Sequence, residues 1–218
     1  MPEGEACRTG SKLRVTEGFR QTWSPTMARS PQEYTERYVQ QTVQSVQAPY
    51  LAEGIATLVE VFSKARASGK TLYFFGNGGS ASTSSHMAND LAKLTIVGNN
   101  RRFRCVSLSD PIPTMLAWAN DLSYAEIFAE QIKNLGTPGD VALGISGSGN
   151  SPNVLRGLEE ARQRGMVTVG LIGTGGGKMK ALCDHSVVVP SNDMQHIEDA
   201  HLVVCHLLCA YFRDERPT

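Results

Sequence analysis

The sequence contains two units of the same kind, in which a short apolar run ends at a polar segment rich in glycine and serine. The apolar runs cover residues 71–75 and 140–145, and the polar segments cover residues 76–80 and 146–151. Each polar segment leads into a stretch with the apolar spacing of an amphipathic helix. A strand, a glycine-rich loop and a helix form the unit from which α/β proteins are built. The two units therefore predict a fold around a mainly parallel sheet.

The rest of the chain continues this alternation. Further apolar runs predict strands at residues 105–108, 168–172 and 186–189. Helical spacing predicts helices at residues 84–94, 111–120, 124–135, 152–164, 178–183 and 194–213. Such an alternation favours a parallel sheet that is covered by helices on both faces. Ligands of these sheets bind at the carboxyl ends of the strands, where both polar segments and the pair Ser109 and Asp110 are expected to lie.

The chain begins differently. Residues 1–30 are rich in glycine, serine, proline and charge and are predicted to be disordered, whereas residues 31–218 are predicted to form a single domain. Ser30, Pro31 and Glu33 form the pattern of a helix N-terminus, in which an acid follows a serine N-cap by three residues. Two helices are then expected before the first strand. They form either a lid over the sheet or a subunit interface.

Composition excludes several classes of protein. Lysine and arginine together number 21, as do aspartate and glutamate, so the zero net charge offers no general attraction to nucleic acid or anionic membranes. No apolar stretch reaches the roughly 20 residues of a transmembrane helix, and no secretory signal precedes the domain. The five cysteines form no CxxC pair, which favours a reduced, cytoplasmic compartment, and Cys205 and Cys209 have the apolar neighbours of core residues. We therefore expect a soluble cytoplasmic protein that binds neither nucleic acid nor membranes.

The polar segments have the composition of a phosphate site. A strand that ends in glycine and serine before a helix aims backbone N–H groups and hydroxyls at one point, and the helix N-terminus adds partial positive charge. The predicted phosphate-binding residues are Ser80, Ser146, Ser148 and Ser151, with Asn77, Gly78 and Gly147 shaping the two turns. The alternative is that these serines cap helices. Neither segment has the spacing of a P-loop or a dinucleotide-binding loop, so nucleotide binding is not indicated.

Histidines and carboxylates occur at helical spacing on two predicted helices. His86 and Asp90 lie four residues apart and share one helix face, while Glu198 and His206 lie on the final helix. His201 lies three residues after Glu198. If these side chains converge, they can hold Zn²⁺ or a similar divalent ion, or they can serve as an acid and a base. The alternative is that each is a hydrogen-bonded polar group at the surface.

Three motifs together resemble the sugar isomerase (SIS) domain. They run from Phe75 to Ser80, from Gly144 to Ser151, and from Ile197 to His206. More narrowly, the chain resembles the phosphoheptose isomerases, and the likeness extends from about residue 34 to residue 212. It implies an α/β fold of the flavodoxin-like type, with a five-stranded parallel sheet flanked by helices and an N-terminal helical extension. It also implies a homotetramer in which the active sites form between subunits.

The resemblance assigns roles to individual residues. It makes phosphate contacts of the four serines and a substrate contact of Asp110. It makes metal ligands of His86, Asp90, Glu198 and His206, among which Asp90 and His206 are also the catalytic pair and Glu198 also contacts substrate. Two of these positions depart from the family pattern, because Asp90 stands for a glutamate and Glu198 for a glutamine. Leu94 and Gln195 also stand where the family has an arginine and an aspartate.

The implied activity is aldose–ketose isomerisation of a sugar phosphate through an enediolate, assisted by a divalent metal, with Zn²⁺ as the expected ion. The implied substrate is sedoheptulose 7-phosphate and the product D-glycero-D-manno-heptose 7-phosphate, which feeds lipopolysaccharide synthesis. The alternative is a non-catalytic SIS protein that binds a sugar phosphate or acts as a tetrameric scaffold. The scaffold relative that binds the replication initiator lacks the final-helix histidine, so the presence of His206 favours an enzyme.

Overall fold

A computed structural model describes residues 30–47, 49–173 and 175–215 of the 218-residue chain. The predicted disordered extension lies outside the described residues apart from Ser30, and the predicted domain boundaries stay a prediction. The first helix begins as the sequence indicates. Ser30 Oγ accepts a hydrogen bond from the Glu33 N–H at 3.2 Å, and the Glu33 carboxylate accepts one from the Ser30 N–H at 3.0 Å. This reciprocal pair is a capping box.

Five parallel strands form one sheet among the described residues. In spatial order they are β2 (Arg104–Ser107), β1 (Thr71–Gly76), β3 (Val141–Ser146), β4 (Val167–Ile172) and β5 (His185–Val188). All four neighbouring pairs are parallel. The predicted fold, a five-stranded parallel sheet with flanking helices, is therefore confirmed.

Helices cover both faces of the sheet. They are α1 (Pro31–Gln47), α2 (Pro49–Ala67), α3 (Gly79–Lys93), α4 (Ile112–Asp121), α5 (Ala129–Leu135), α6 (Pro152–Gln163) and α7 (Met194–Asp214), with 3₁₀ turns at Tyr124–Glu126 and Met179–Ala181. Successive residues of β1 face opposite sides, since Leu72 and Phe74 pack with α2, α3 and α7 while Tyr73 and Phe75 pack with α5 and α6. Burial on both faces explains why this strand is a continuous apolar run. None of the helices in the described ranges is long and apolar enough to cross a membrane.

The N-terminal helical extension has two different parts. α2 belongs to the core, because Leu58 and Phe62 are fully buried and the Phe62 ring lies 6.2 Å from that of Phe74. α1 packs against α7 and leaves Tyr34 and Val39 more than half exposed. α2 therefore covers the sheet, as expected of a lid, and the interface alternative for the two helices stays a prediction.

Three predicted helices differ from the structure, and one of them, predicted at residues 124–135, is instead the 3₁₀ turn Tyr124–Glu126 followed by α5. α3 begins at Gly79 instead of residue 84, so Ser80 lies in its first turn and is 7% exposed. Glycine and serine have low helix propensity, and for that reason residues 79–83 look like a loop in the sequence. Burial of Ser80 and Thr83 beneath the neighbouring elements overrides that local preference. The predicted helix at 178–183 is only the 3₁₀ turn at Met179–Ala181.

The strand order creates a crevice between β1 and β3. The chain leaves β1 towards β2 at one edge and later returns to β3 on the other side of β1. The connections after β1 and β3 therefore diverge, and ligands of doubly wound sheets bind at such a switch point. Gly76 pairs with Ile145, the residue directly before Ser146, so both polar segments begin at this crevice.

Candidate active site

The segment after β3 gathers three hydroxyls. Ser146 Oγ lies 3.0 Å from Ser151 Oγ and 3.5 Å from Ser148 Oγ. Ser151 is the N-cap residue of α6, yet its side chain makes no capping hydrogen bond to that helix. A capping role therefore does not explain Ser151. The three hydroxyls instead face one another beside a helix N-terminus, an arrangement that can donate several hydrogen bonds to a phosphate.

Gly147 fits this segment because it carries no side chain. A Cβ at this position would overlap with Met194 Sδ at the start of α7. Close packing between the segment and α7 therefore requires the glycine. It also brings the beginning of the last helix directly against the hydroxyl cluster.

The segment after β1 is shorter than the sequence indicates and turns directly into α3. Gly78 has a φ of 53°, which favours glycine, and it precedes a helix that has no side-chain N-cap. The Glu198 carboxylate of α7 lies against Gly79, where an added Cβ would overlap with it. A carboxylate at this place is favoured by the partial positive charge of the α3 N-terminus.

A pair of side-chain amides joins the two polar segments. Asn77 Nδ2 donates to Asn153 Oδ1 at 2.9 Å, and Asn153 Nδ2 donates to Asn77 Oδ1 at 2.7 Å. The Tyr124 hydroxyl also donates to Asn77 Oδ1 at 2.9 Å. Asn77 was expected to shape its own turn, whereas the structure also makes it a tie to the first turn of α6. The sequence analysis missed Asn153, whose only signal is an amide two residues after the last serine.

The Asn153→Ala variant should lose about 1–3 kcal/mol of unfolding free energy, because it removes both hydrogen bonds between the buried Asn153 amide and the half-buried Asn77 amide. The two polar segments would also lose their direct connection, so the KM for a sugar phosphate should rise. Urea unfolding and steady-state kinetics measure the two effects. Asn134→Ala, at an exposed position on α5, is the control and should leave both unchanged.

Asp110 lies at the carboxyl end of β2, where hydroxyls hold its carboxylate. Asp110 Oδ1 accepts hydrogen bonds from Ser85 Oγ and, at 3.1 Å, from Ser107 Oγ. Its neighbour Ser109 bonds to both backbone groups of Gly76, with an Oγ–O distance of 3.1 Å and an N–Oγ distance of 3.3 Å. The loop after β2 is thereby fixed to the end of β1, beside the crevice.

Two histidines and a carboxylate meet between α3 and α7. His86 Nε2 lies 3.1 Å from Asp90 Oδ2 and 3.1 Å from His206 Nε2. Asp90 is 8% exposed, whereas both imidazoles are exposed at the rim of the cluster. The structure therefore brings together three of the four residues that the sequence analysis named as metal ligands.

These atoms fit a divalent cation. The single Nε2 proton of His86 cannot serve the Asp90 carboxylate and the His206 nitrogen with good geometry at once, and an ionised carboxylate has no proton to donate. A cation between them removes the conflict because each atom can present a lone pair to it. Ligand atoms about 2.0–2.1 Å from a tetrahedral zinc ion lie roughly 3.3 Å apart, close to both observed separations of 3.1 Å.

A thiol completes the group of possible metal-ligand side chains. Ligand atoms of His86, Asp90 and Cys205 all lie within 4.8 Å of one another, the one such group of three or more among the described residues. Cys205 is fully buried, as a core residue should be, and its hydrogen bond to Cys209 together with burial raises the pKa of its thiol. Glu198, the fourth predicted ligand, is not a member of this group.

His201 does not take part in the site. It is 1% exposed, and neither ring nitrogen has a hydrogen-bond partner in the described structure. Burial lowers the pKa of this imidazole to about 4. The Ile172 carbonyl raises that pKa in part, but it already accepts the Val189 N–H at 2.8 Å. His201 is therefore a neutral core residue.

The buried imidazole makes the stability of the protein depend on pH. The pKa of His201 is about 4 in the folded chain against 6.5 for an ordinary histidine side chain, so the unfolded chain binds the proton more tightly. The contribution of neutral His201 to the free energy of unfolding is complete above pH 6.5 and is lost as the pH falls towards 4. Over that range the free energy of unfolding changes by up to about 1.4 kcal/mol per pH unit. We therefore expect the free energy of unfolding, measured with urea between pH 4.5 and 7, to depend less steeply on pH in His201→Gln than in the wild type. Equal slopes in the two proteins would contradict this prediction.

Comparison with known proteins identifies the family. The SIS domain family model matches residues 33–173. A phosphoheptose isomerase from Paramagnetospirillum magneticum is 43% identical over 157 residues, which cover 72% of this chain and 81% of that protein. The chain belongs to the phosphoheptose isomerase family. It is therefore an isomerase of the aldose–ketose class, and the resemblance of its motifs to this family is confirmed.

Other members of the family agree with this assignment. A phosphoheptose isomerase from Helicobacter pylori is 42% identical over 162 residues, covering 73% of this chain and 80% of that protein. The solved structure of phosphoheptose isomerase GmhA from Neisseria gonorrhoeae superposes with a TM-score of 0.78 at 26% identity, covering 85% of this chain and all of that one. The crevice between β1 and β3 is thus the candidate active site of an isomerase.

Proposed function

We propose that this isomerase interconverts sedoheptulose 7-phosphate and D-glycero-D-manno-heptose 7-phosphate. The observation that supports this best is the presence of two chemically different clusters, one at the β1–β3 crevice and one between α7 and α3, the helix that begins at that crevice. The hydroxyls of residues 146–151 suit a phosphate, and the imidazoles and carboxylate between α3 and α7 suit proton transfer. A substrate with a phosphate at one end and a carbonyl at the other can use both clusters at once.

The phosphate would be bound by hydroxyls and by helix N-termini. Ser146, Ser148 and Ser151 supply the hydroxyl groups, and Ser80 lies in the first turn of the adjacent α3. Backbone and hydroxyl donors can hold a phosphate dianion without lysine, because it accepts several short hydrogen bonds. This remote binding positions the carbons that react.

The reaction needs a base and an acid at the carbonyl end of the sugar. In our proposal Asp90 removes a proton from C1 of the ketose, which gives an enediolate, and His206 returns a proton at C2. The hydroxyl proton moves between the two oxygens in the same exchange, so no atom is gained or lost. Asp90 is nearly buried, and its low exposure keeps water away from the group that carries the proton.

His86 and Asp90, together with His206, would hold a divalent metal, for which we propose Zn²⁺. When bound, such an ion polarises the carbonyl and stabilises the negative charge that develops on its oxygen. Asp90 can serve both purposes because a carboxylate has two oxygens. Glu198 was predicted both to bind metal and to contact the substrate. We propose only the substrate contact, because its carboxylate lies at the start of α3.

We also propose a homotetramer with active sites between subunits. Large apolar side chains remain exposed on α1 and α4, and apolar helix faces of this kind commonly pack against another copy. They are Tyr34, Val39, Val43, Ile112 and Leu116. Light scattering of the purified chain measures the assembly directly.

Incubation of the purified protein with sedoheptulose 7-phosphate tests the proposed reaction. We expect an aldose phosphate to form, and we expect a chelator to suppress its formation and added Zn²⁺ to restore it. Unphosphorylated sedoheptulose is the matched control and should turn over far more slowly, since it lacks the group that the hydroxyl cluster binds. The absence of any aldose product from metal-loaded protein would contradict the proposal.

A further inference from the structure

We propose that Tyr124 is a positioning residue for phosphate binding, because it holds the Asn77 side chain so that an N–H donor is available at the crevice. The Tyr124 hydroxyl donates to Asn77 Oδ1 at 2.9 Å, and the same oxygen accepts from Asn153 Nδ2 at 2.7 Å. The inference rests on the proposed function, since it takes the crevice between β1 and β3 as the place of the substrate's phosphate. It adds to the hydroxyl cluster one amide donor and the residue that controls it.

A backbone N–H determines which way the Asn153 amide is oriented. The Val154 N–H, in the first turn of α6, donates to Asn153 Oδ1 at 3.0 Å. A backbone N–H can only donate, so its partner must be the amide oxygen and cannot be the amide nitrogen. Asn153 is 1% exposed, so bulk solvent does not compete for that oxygen. The first turn of α6 therefore sets the orientation of this amide.

The orientation of Asn153 determines that of Asn77 in turn. The two amides form a cyclic pair, in which each nitrogen donates to the oxygen of the other. If the Asn77 amide were reversed, its oxygen would face the Asn153 oxygen and its nitrogen would face the Asn153 nitrogen, so both hydrogen bonds would be lost. Asn77 Nδ2 must therefore face Asn153 Oδ1, from which it lies 2.9 Å away.

The Tyr124 hydroxyl uses the remaining capacity of Asn77 Oδ1. A carbonyl oxygen accepts two hydrogen bonds, and here Asn153 and Tyr124 donate both. The Asn77 amide nitrogen carries two hydrogens, of which the pair with Asn153 uses one. Among the contacts of the described residues, these bonds leave free on the Asn77 side chain only one N–H.

A free N–H at this place suits a phosphate. Asn77 directly follows Gly76, where the crevice begins, and its side chain is only partly buried. The oxygens of a phosphate dianion accept hydrogen bonds and have none to donate, so they bind an N–H and are repelled by a free carbonyl lone pair. Without the Tyr124 hydroxyl, one lone pair of Asn77 Oδ1 would be open. Tyr124 therefore leaves the amide with a donor alone.

The turn that carries Tyr124 is fixed to the helix that carries Asn153. Glu126, two residues later in the same 3₁₀ turn, accepts two hydrogen bonds from Arg156 of α6, with N–O distances of 2.9 and 3.3 Å. The two residues that follow Glu126 are each 1% exposed and anchor the turn in the core. Tyr124 itself is 60% exposed. Its hydroxyl can thus position Asn77 while its ring contributes little to the packing of the fold.

The Tyr124→Phe variant tests the inference, because it removes only the hydroxyl from an exposed ring. Calorimetric titration of the full chain with inorganic phosphate should show a roughly 3- to 10-fold weaker affinity, the loss expected for one hydrogen bond. The value of kcat/KM for sedoheptulose 7-phosphate should fall by the same factor, mainly through KM. Unchanged phosphate affinity in Tyr124→Phe would overturn the inference.

A second exposed tyrosine provides the matched control. Tyr211 is 52% exposed and lies 17 residues after the start of α7, which corresponds to roughly 25 Å along the helix axis. Tyr211→Phe removes the same hydroxyl from the same kind of ring, and it should leave both the phosphate affinity and kcat/KM at the wild-type values.

Unphosphorylated sedoheptulose separates a positioning role in phosphate binding from a general structural role. A distortion of the whole crevice would slow the turnover of both sugars, whereas a misplaced phosphate donor slows only that of the phosphorylated one. We expect kcat/KM for unphosphorylated sedoheptulose to be the same in Tyr124→Phe and in the wild type. An equal loss for both sugars would overturn the inference.

A double-mutant cycle shows whether Tyr124 acts through Asn77. In the Asn77→Ala background the hydroxyl has no amide to hold, so the addition of Tyr124→Phe should change the phosphate affinity by less than about twofold. The full loss in both backgrounds would mean that Tyr124 acts independently of Asn77, which overturns the inference. Urea unfolding checks that each variant is folded, and the comparison of the two sugars needs no change at Asn77.

Failure of the inference and failure of the proposed function give different results. A chain that loses phosphate affinity in Tyr124→Phe, but whose wild type does not convert sedoheptulose 7-phosphate, would support the role of Tyr124 and contradict the proposed reaction. A wild type that converts the sugar phosphate, with the same phosphate affinity and KM in Tyr124→Phe, would keep the reaction and overturn the inference. A wild type that binds neither inorganic phosphate nor the sugar phosphate would overturn both.

Discussion

The His206→Gln variant should lose roughly 10²- to 10⁴-fold in kcat on sedoheptulose 7-phosphate, the range that one acid–base group contributes. Glutamine keeps a polar side chain of similar reach, but it cannot take up and release a proton near neutral pH. His206 meets the cluster through His86, whereas the hydroxyls that suit phosphate lie on the segment after β3. The affinity for inorganic phosphate should therefore stay unchanged. Steady-state kinetics and titration calorimetry with phosphate measure the two quantities.

A histidine at the opposite end of the sheet provides the control. His185 is the first residue of β5 and so lies at the amino end of a strand, away from the crevice at the carboxyl ends. His185→Gln should keep the wild-type kcat. Wild-type turnover by His206→Gln would remove this residue from the chemistry and leave proton transfer to Asp90 and solvent.

The Ser148→Ala variant should bind the sugar phosphate roughly 10- to 100-fold more weakly, because one hydrogen bond to a charged group contributes about 1.5–3 kcal/mol. Ser148 Oγ lies 3.5 Å from Ser146 Oγ and accepts the Asn150 N–H at 3.2 Å. The hydroxyl is therefore held in place before any ligand arrives. Calorimetric titration with sedoheptulose 7-phosphate and with inorganic phosphate should show the same loss, because both ligands share the phosphate group.

The preference of Ser148→Ala for phosphorylated over unphosphorylated sedoheptulose should fall together with its phosphate affinity. Unphosphorylated sedoheptulose does not use this hydroxyl, so its weak turnover should be the same in Ser148→Ala and in the wild type. Ser82→Ala is the matched control, because Ser82 is an exposed serine on α3 whose side chain makes, among the described residues, only a weak bond to the Gly78 carbonyl at 3.5 Å. Equal phosphate affinity of Ser148→Ala and the wild type would show that the anion binds elsewhere.

The sequence by itself determined the sheet, the family and the place of the site. Each strand is a short apolar run because both faces of a parallel sheet are buried, and that signal is local. The capping box at Ser30 and Glu33 is also a local signal, because it joins residues only three positions apart. The serines of residues 146–151 follow directly on β3, and the position of their hydroxyls follows from where that strand ends.

The tertiary structure alone decided which side chains meet. α3 begins at Gly79 because its first turn is buried, and that packing outweighs the low helix propensity that made residues 79–83 look like a loop. The Asn77–Asn153 pair joins residues 76 positions apart. No local sequence pattern predicts a contact between residues so far apart in the chain.

The possible metal ligands between α3 and α7 show most clearly what the sequence alone cannot decide. His86 and Asp90 share a helix face by their spacing, and the sequence alone was enough to pair them. Whether Cys205 or Glu198 lies beside them depends on the axial position at which α7 packs against α3. Seven residues of helix correspond to about 10.5 Å along the axis. Helix spacing fixes the face on which a residue lies, while only the packing of two helices fixes the level at which their side chains meet.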